Sequence, residues 1–472
     1  MEENEDFNND YNDNEIDELV IQFKETVDAK SSRFFDSDDL ELIADELIAR
    51  FEFFYANEAV ELGIRLYPKS FAFRILKVKK LIMELKLETA SKELDKIEDE
   101  FPPSAEFYLE KAFFFKISGK DDAALPLLQK AYEMEPENPE INFMLGGEYV
   151  KNLQFKKGLQ LVIYALEEDD VMEEQLFTIS YIFEDINRPD AAVDFFRALT
   201  DQFPLSKASW FALGLSLGWQ KEFEECIDAY MNVISLDEES STAYFNIGNA
   251  YYDLQKYEEA IHYYQETLRW DENDFHAMSG IGDCYLELEQ YDAALNYYHQ
   301  ALDIEPNTVD AIMGCITVLR DTGREAEAEA FIKKSFTLNP QSFELLFGIL
   351  PYFQEEEQIE KLKELVRLTI EQVDNKEDFF RYFTSYCCAT ADLRKMGIDI
   401  LEEYLDNEDL TYAIPYFLAA LHYLSGNSVK GQEYLQNALL INYNGYRIFL
   451  ALSPELSKIE EVQRLIEIYR PN

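Results

Sequence analysis

The stretch from Phe275 to Thr308, FHAMSGIGDCYLELEQYDAALNYYHQALDIEPNT, decides the fold once it is laid over the 34 residues before it. Those are STAYFNIGNAYYDLQKYEEAIHYYQETLRWDEND, from Ser241 to Asp274. Gly248 falls over Gly282, Tyr251 over Tyr285, Tyr257 over Tyr291, Ala260 over Ala294 and Tyr264 over Tyr298. Self-similarity at a fixed period of this size is the signature of a repeat architecture. The frame runs unbroken in both directions, with windows beginning at 37, 71, 105, 139, 173, 207, 241, 275, 309, 343 and 377. After a slip of one residue a further window fits Tyr412 to Gly445.

Position eight of the window is small over much of the array, as at Ala44, Ala112, Gly146, Gly214, Gly248 and Gly282, and bulkier at Ile316 and Leu350. Position twenty reads Ala56, Ala90, Ala124, Gly158, Ala192, Cys226, Ala260, Ala294 and Ala328. Small residues at both places let two antiparallel helices approach closely. Aromatic or aliphatic residues at positions eleven and twenty-four then fill the space between them and against the next unit. Prolines at position thirty-two, from Pro68 to Pro340, cannot continue a helix and punctuate the units. Turn-prone pieces such as Ser118-Gly119-Lys120-Asp121 and Asp321-Thr322-Gly323-Arg324 separate the two helices of a unit.

On these residues the chain resembles the tetratricopeptide repeat family over roughly residues 37–445, most sharply from 105 to 340, and the bacterial type is expected. The resemblance implies an all-α fold, a right-handed superhelical solenoid of stacked antiparallel helix pairs. The expected organisation is an acidic disordered tail at 1–18, a capping helix at 19–36 and a regular array at 37–342. Degenerate repeats with looser or re-angled helix pairs follow at 343–445, then C-terminal capping helices at 446–472.

The 472 residues are 47 % hydrophobic, ample for a core. The 94 acids against 42 bases give a formal charge of −52, which repels phosphate backbones and anionic lipid. Nucleic acid is therefore excluded as a partner, and a protein or peptide that is basic or apolar is favoured. No apolar run is long enough to span a bilayer, so no membrane insertion is expected. The first residues lack the pattern of a signal peptide. The odd set of cysteines (Cys226, Cys284, Cys315, Cys387 and Cys388) has no disulfide or metal spacing and fits a reducing cytoplasm.

No catalytic motif is present. The histidines (His262, His276, His299 and His422) form no metal-ligand pair, and there is no GxGxxG, GxxxxGK[ST] or GxSxG. Neither a metal nor a cofactor is expected. The acidic stretch DFNNDYNDNEIDE lacks the turn glycine of a calcium loop. The expectation is a non-catalytic scaffold or adaptor. The alternatives are a structural subunit of a larger assembly or, less favoured, an enzyme with a site around Tyr382, Cys387 and Cys388.

In the family that the sequence resembles, the first helix of each unit lines the concave face through positions two, five, six, nine, twelve and thirteen. Carried over, these give a peptide-binding set of Phe211, Leu215, Trp219, Phe245, Asn246, Asn249, Tyr252, Asp253, Asp283 and Glu287. The asparagines could pair with a peptide backbone, and the aromatics either anchor a ligand or pack on the next unit. The carboxylate clamp of chaperone-binding members is absent. Asn249 matches it, but Phe245 stands where a clamp lysine would be, and Gly280, Asp310 and Gly314 replace the remaining polar residues.

Overall fold

The computed structural model describes residues 13–31, 33–338, 342–349, 359–373, 375–405, 407, 410 and 412–471. Among them every regular element is an α- or 3-10 helix, the all-α fold expected. The chain divides into two compact units, Met1–Glu238 and Glu239–Asn472, and not at 342/343. Within each, helices alternate as first and second members of a pair, and most first helices touch both their own second helix and the first helix of the next pair.

The helices keep the phase of the sequence repeat. First helices begin at Ser37, Phe71, Ala105, Pro139, Lys207, Ser241, Phe275, Val309 and Phe343. The residue just before is a capping type almost throughout. The side chains of Asp36, Ser104, Asn138, Ser206, Asp274 and Ser342 each accept from the backbone N–H three residues on. These caps satisfy amide groups that the first turn leaves without partners and so fix where each helix starts. In the window from 173 the pattern gives way to a 3-10 stretch, Asp170–Gln175, and a shorter helix, Leu176–Asp185.

Each first helix ends in the same way. Position fifteen of the window adopts a left-handed backbone at Phe51, Leu85, Gly119, Leu153, Asn187, Lys221, Gln255, Glu289 and Gly323, and again at Gly426. Its N–H and the next one bond back into the last helical turn: Lys221 N donates to Gly218 O at 2.9 Å and Glu222 N to Leu217 O at 3.0 Å. This Schellman arrangement reverses the chain for the second helix. Only glycine adopts that conformation without a steric cost of about 1–2 kcal/mol, yet most of these residues are not glycine.

Pairs are held together at position twenty-four. Tyr264 is buried between two glycines: a Cβ on Gly248 would lie 2.6 Å from its ring and one on Gly280, in the next unit, 2.7 Å. Tyr298 is wedged in the same way between Gly282 and Gly314. In the first unit the corresponding Val60, Leu94, Leu128, Val162, Phe196 and Tyr230 are all buried.

Two boundaries differ from expectation. The first helix spans Asp13–Asp28, starting at Asp13 and not Leu19, with Val20 and Phe23 in the core. Of the tail expected over 1–18, residues 1–12 lie outside the described residues. Among the described residues after 343, a buried core runs from Leu345 to Leu465 and joins Ile312, Ile316, Ile332 and Phe336 of the preceding pair. The helix Ile414–Leu424 is buried on every side from Ile414 to Tyr423, as an all-round apolar helix should be. Arg394 donates to the carbonyls of Cys388 at 2.8 Å and Leu424 at 2.6 Å, closing two helix ends with one guanidinium. Two further helices, Tyr446–Ala451 and Glu460–Ile468, end the chain.

Two outcomes follow for stability. Gly282→Ala forces a methyl group 2.5 Å from the Tyr298 ring, which Gly314 blocks from retreating. It should cost about 1–3 kcal/mol in denaturant unfolding, and combining it with Tyr298→Leu should recover part of that. Lys221→Gly relieves the left-handed strain at an exposed turn and should be neutral or stabilising by up to about 1 kcal/mol. A clear loss with Lys221→Gly would contradict the turn geometry.

Candidate functional site

The residues expected to line one groove belong to both compact units and are taken as two sets. On Lys207–Trp219, Phe211, Leu215 and Trp219 are half-buried. Phe211 packs edge-on against Tyr230 with centroids 5.2 Å apart, and against Phe177 at 5.5 Å. Packing accounts for much of that ring.

In the second unit, Phe245, Asn246, Asn249, Tyr252 and Asp253 lie on Ser241–Asp253, and Asp283 and Glu287 on Phe275–Glu287. Phe245 packs on Tyr264 with centroids 5.7 Å apart. The Tyr264 hydroxyl donates to Asn249 Oδ1 at 2.7 Å, and the Tyr298 hydroxyl donates to Asp283 Oδ1 at 2.6 Å. The wedge tyrosines therefore reach through the helix layer and hold the polar residue at position nine from behind. Asn246 donates to the carbonyl of Thr242, a bond within its own helix. Asp253 and Glu287 are exposed. Burial pushes the Asp283 carboxyl up to about 6; the Tyr298 bond opposes the shift, and Asp310 and Glu287 add to it.

A further site on the first-helix side lies elsewhere. A cavity of about 420 Å³ in the first unit is lined by four successive first helices, mostly at the inner-face positions of the windows from 71, 105, 139 and 173. Its walls include Met83, Leu109, Phe113, Phe143, Met144 and Ile182. Lys79, Glu110, Lys116 and Glu140 supply the charge. Lys79 is paired with Asp45 at 2.5 Å, and Lys116 with the buried Glu148 at 3.2 Å. Among the described residues, Glu110 and Glu140 are in no ion pair.

Part of the Glu110 side chain is exposed, but its Oε2 is shut off from solvent and has no hydrogen-bond partner. Burial pushes its carboxyl up to about 8, against the pull of Lys79 and with the help of Glu140, Glu106 and Asp45. Glu140 and Glu106 are exposed overall, but burial of the side of each that faces the protein, with like-charged neighbours, raises both above the usual carboxylate range. For Lys79, burial works downward, and Asp45 outweighs it to hold the ammonium above its ordinary value. The rule that selected the central residues would have found this site had it been extended toward the amino terminus. That extension would have taken in most of the lining positions, but not the hollow that their side chains leave.

The cluster around Tyr382 does not assemble. Tyr382 is exposed, whereas Cys387 and Cys388 are buried thiols pushed up by burial, Cys388 to about 12. Thiols of that kind are inert. On the second-helix side, a depression of about 540 Å³ between Gln129, Tyr132, Tyr149, Lys157 and Gln160 is polar and apolar in about equal parts, with Leu145 and Leu161 in its walls.

The raised carboxyls set the pH dependence of stability. An unfolded glutamate releases its proton near the ordinary value of 4.5, while folded Glu110 holds it to about 8. Folding thus takes up protons in that window, and stability falls as pH rises from about 4.5 to 8, then levels. Glu110→Gln combined with Asp283→Asn should flatten the thermal midpoint between pH 5 and 8. An unchanged slope would contradict these environments.

Tetratricopeptide-repeat models match residues 239–306 and, in a second version, 285–345. No curated protein matches the chain. Among solved structures, the chain is similar to the C-terminal part of a tetratricopeptide-repeat-containing protein from Cytophaga hutchinsonii. The identity is 16 %, covering 51 % of this chain and 98 % of that one, with a TM-score of 0.37. It is also similar to pilF of Pseudomonas aeruginosa (16 %, 50 % and 93 %, TM-score 0.32) and to MamA from residue 41 of Desulfovibrio magneticus RS-1 (14 %, 36 % and 97 %, TM-score 0.33). Scores below 0.5 carry no argument about function. Tetratricopeptide repeats are in general protein-interaction scaffolds, and the all-α pairs, the 34-residue phase and the family matches agree: this chain carries tetratricopeptide repeats, matched by the family models over residues 239–345.

Proposed function

We propose that the chain is a non-catalytic scaffold or adaptor that holds a segment of another protein along the face of its first helices. The observation that carries this reading is the cavity lined by four successive first helices, where apolar walls surround carboxyls that have no ion-pair partner. Such a concave, largely apolar site with a few convergent polar groups is the ordinary form of a binding site. Phe211, Leu215 and Trp219 lie on a later first helix of the same unit, and Phe245, Asn246, Asn249, Tyr252, Asp253, Asp283 and Glu287 on first helices of the second unit. Held from behind by Tyr264, Asn249 is fixed in orientation, which lowers the entropic cost of using it. The charge of −52 favours a basic or apolar partner. The five cysteines are all buried and in no disulfide, in keeping with a cytoplasmic protein, and among the described residues no helix is long and apolar enough to cross a membrane.

A second reading, a structural subunit joined through its edge, draws on Phe51, Leu85 and Leu153. They are 63 %, 72 % and 57 % exposed at left-handed turn positions, where neither burial nor backbone preference favours them.

Affinity capture with the full chain separates the two. Trp219→Ala with Asn249→Ala should weaken retention of the partner at least tenfold without loss of helical circular dichroism. Substituting Phe51, Leu85 and Leu153 by Ser should leave retention intact. The reverse pattern would favour the edge.

A further inference from the structure

We infer that the cavity in the first unit is a lysine-recognition site that receives the side chain of a lysine flanked by apolar residues in the bound protein segment. This rests on the reading of the first helices as the binding face and adds the chemistry of one subsite.

The charge inventory points to a cation. Lys79 and Lys116 are neutralised by Asp45 and Glu148, so the carboxyls of Glu110 and Glu140 are in excess. An acidic ligand would meet this excess, and a neutral one would leave Glu110 Oε2 buried and unpartnered, which is costly. The two carboxyls come from different helices, Ala105–Ile117 and Pro139–Lys151, rather than forming one planar face. Separate acceptors suit an ammonium with three rotatable donors better than the planar fork of arginine. The apolar walls, Leu109, Phe113, Phe143 and Met144 among them, match the methylene stem that a lysine buries behind its charge.

The site is also proton-linked. Without ligand, Glu110 holds its proton up to about pH 8, and an entering ammonium displaces it. The charged groups facing Glu110 are Lys79 and Asp45 from the preceding repeats, Glu106 from its own helix and Glu140 from the next first helix. Glu106 and Glu140 are shifted upward as well, so they add to the linkage in the same direction. Binding should tighten by up to about tenfold per pH unit from 6 to 8 and level above that.

The test uses fluorescein-labelled seven-residue peptides with a central Lys between Leu and Phe, and the same peptides with Gln, Arg or Glu at the centre. Binding to the full chain is read by fluorescence anisotropy at pH 6, 7 and 8. The Lys peptide should bind at least tenfold tighter than the Gln and Glu peptides, and tighter than the Arg peptide. Its affinity should rise with pH. Glu110→Gln, which keeps the shape and removes a buried acid, should lose at least tenfold at pH 8 and most of the pH dependence. Thr178→Trp, at an exposed position of the rim, should block the cavity and abolish binding. Loss with Thr178→Trp but no preference for Lys and no effect of Glu110→Gln would overturn the lysine site while leaving the binding face standing. Peptide binding that ignores Thr178→Trp would count against the face itself. Absence of binding by any peptide would overturn the lysine site, and the capture experiment above would then decide the face independently.

Discussion

The contact between the side chain at position twenty-four and the small residue at position eight holds the rest of this structure in place. It sets how closely the two helices of a pair approach, and its other side sets how closely the next pair follows. At Tyr264 and Tyr298 the ring has glycine on both sides, so neither partner can gain even a methyl group without a shift. The same tyrosines send their hydroxyls through to Asn249 and Asp283, where they fix polar groups on the first-helix face. Core packing and the binding surface are thus two ends of one side chain. The tyrosine behind also takes the space that a side chain at Gly280 or Gly314 would need.

The pitch and phase of the helices were open to reading because they depend on residue size at fixed spacing. Ala, Gly and Cys at position twenty are as plain in the letters as in the packing. The caps at Ser104, Asn138 and Asp274 were also present in the sequence, and they explain starts that periodicity alone would blur. Other features had no such signal. Leu153 and Lys221 take a left-handed backbone that sequence reasoning assigns to glycine, and the paired hydrogen bonds that close the helix end override the local preference there. The helix at Asp13–Asp28 starts within a run of acids, and its anchor is burial of Val20 and Phe23 farther on. After 343 the small residues give way to bulky ones. That reads as loosening, but the volume is absorbed into one large core around Ile414–Leu424.

For the site, the sequence indicated the face but not the depth. Positions two, five, six, nine, twelve and thirteen do turn up along the cavity, from Lys79 to Thr178. What could not be read was which windows leave a hollow, because that depends on several side chains failing to fill the same space. With 94 acids in the chain, a single glutamate such as Glu110 carries no signal until its surroundings are known. Its meaning comes from the other cations being already paired and from its own oxygen being shut off from solvent.

The most direct measurement of the central claim, that a protein segment lies along the first helices, is site-specific photocrosslinking in the native cell. A photoreactive residue is placed at Phe113 on a first helix, or at Gln160 on the exposed side of a second helix. The account predicts a discrete adduct from position 113 and none from position 160. An adduct from position 160 alone would contradict it.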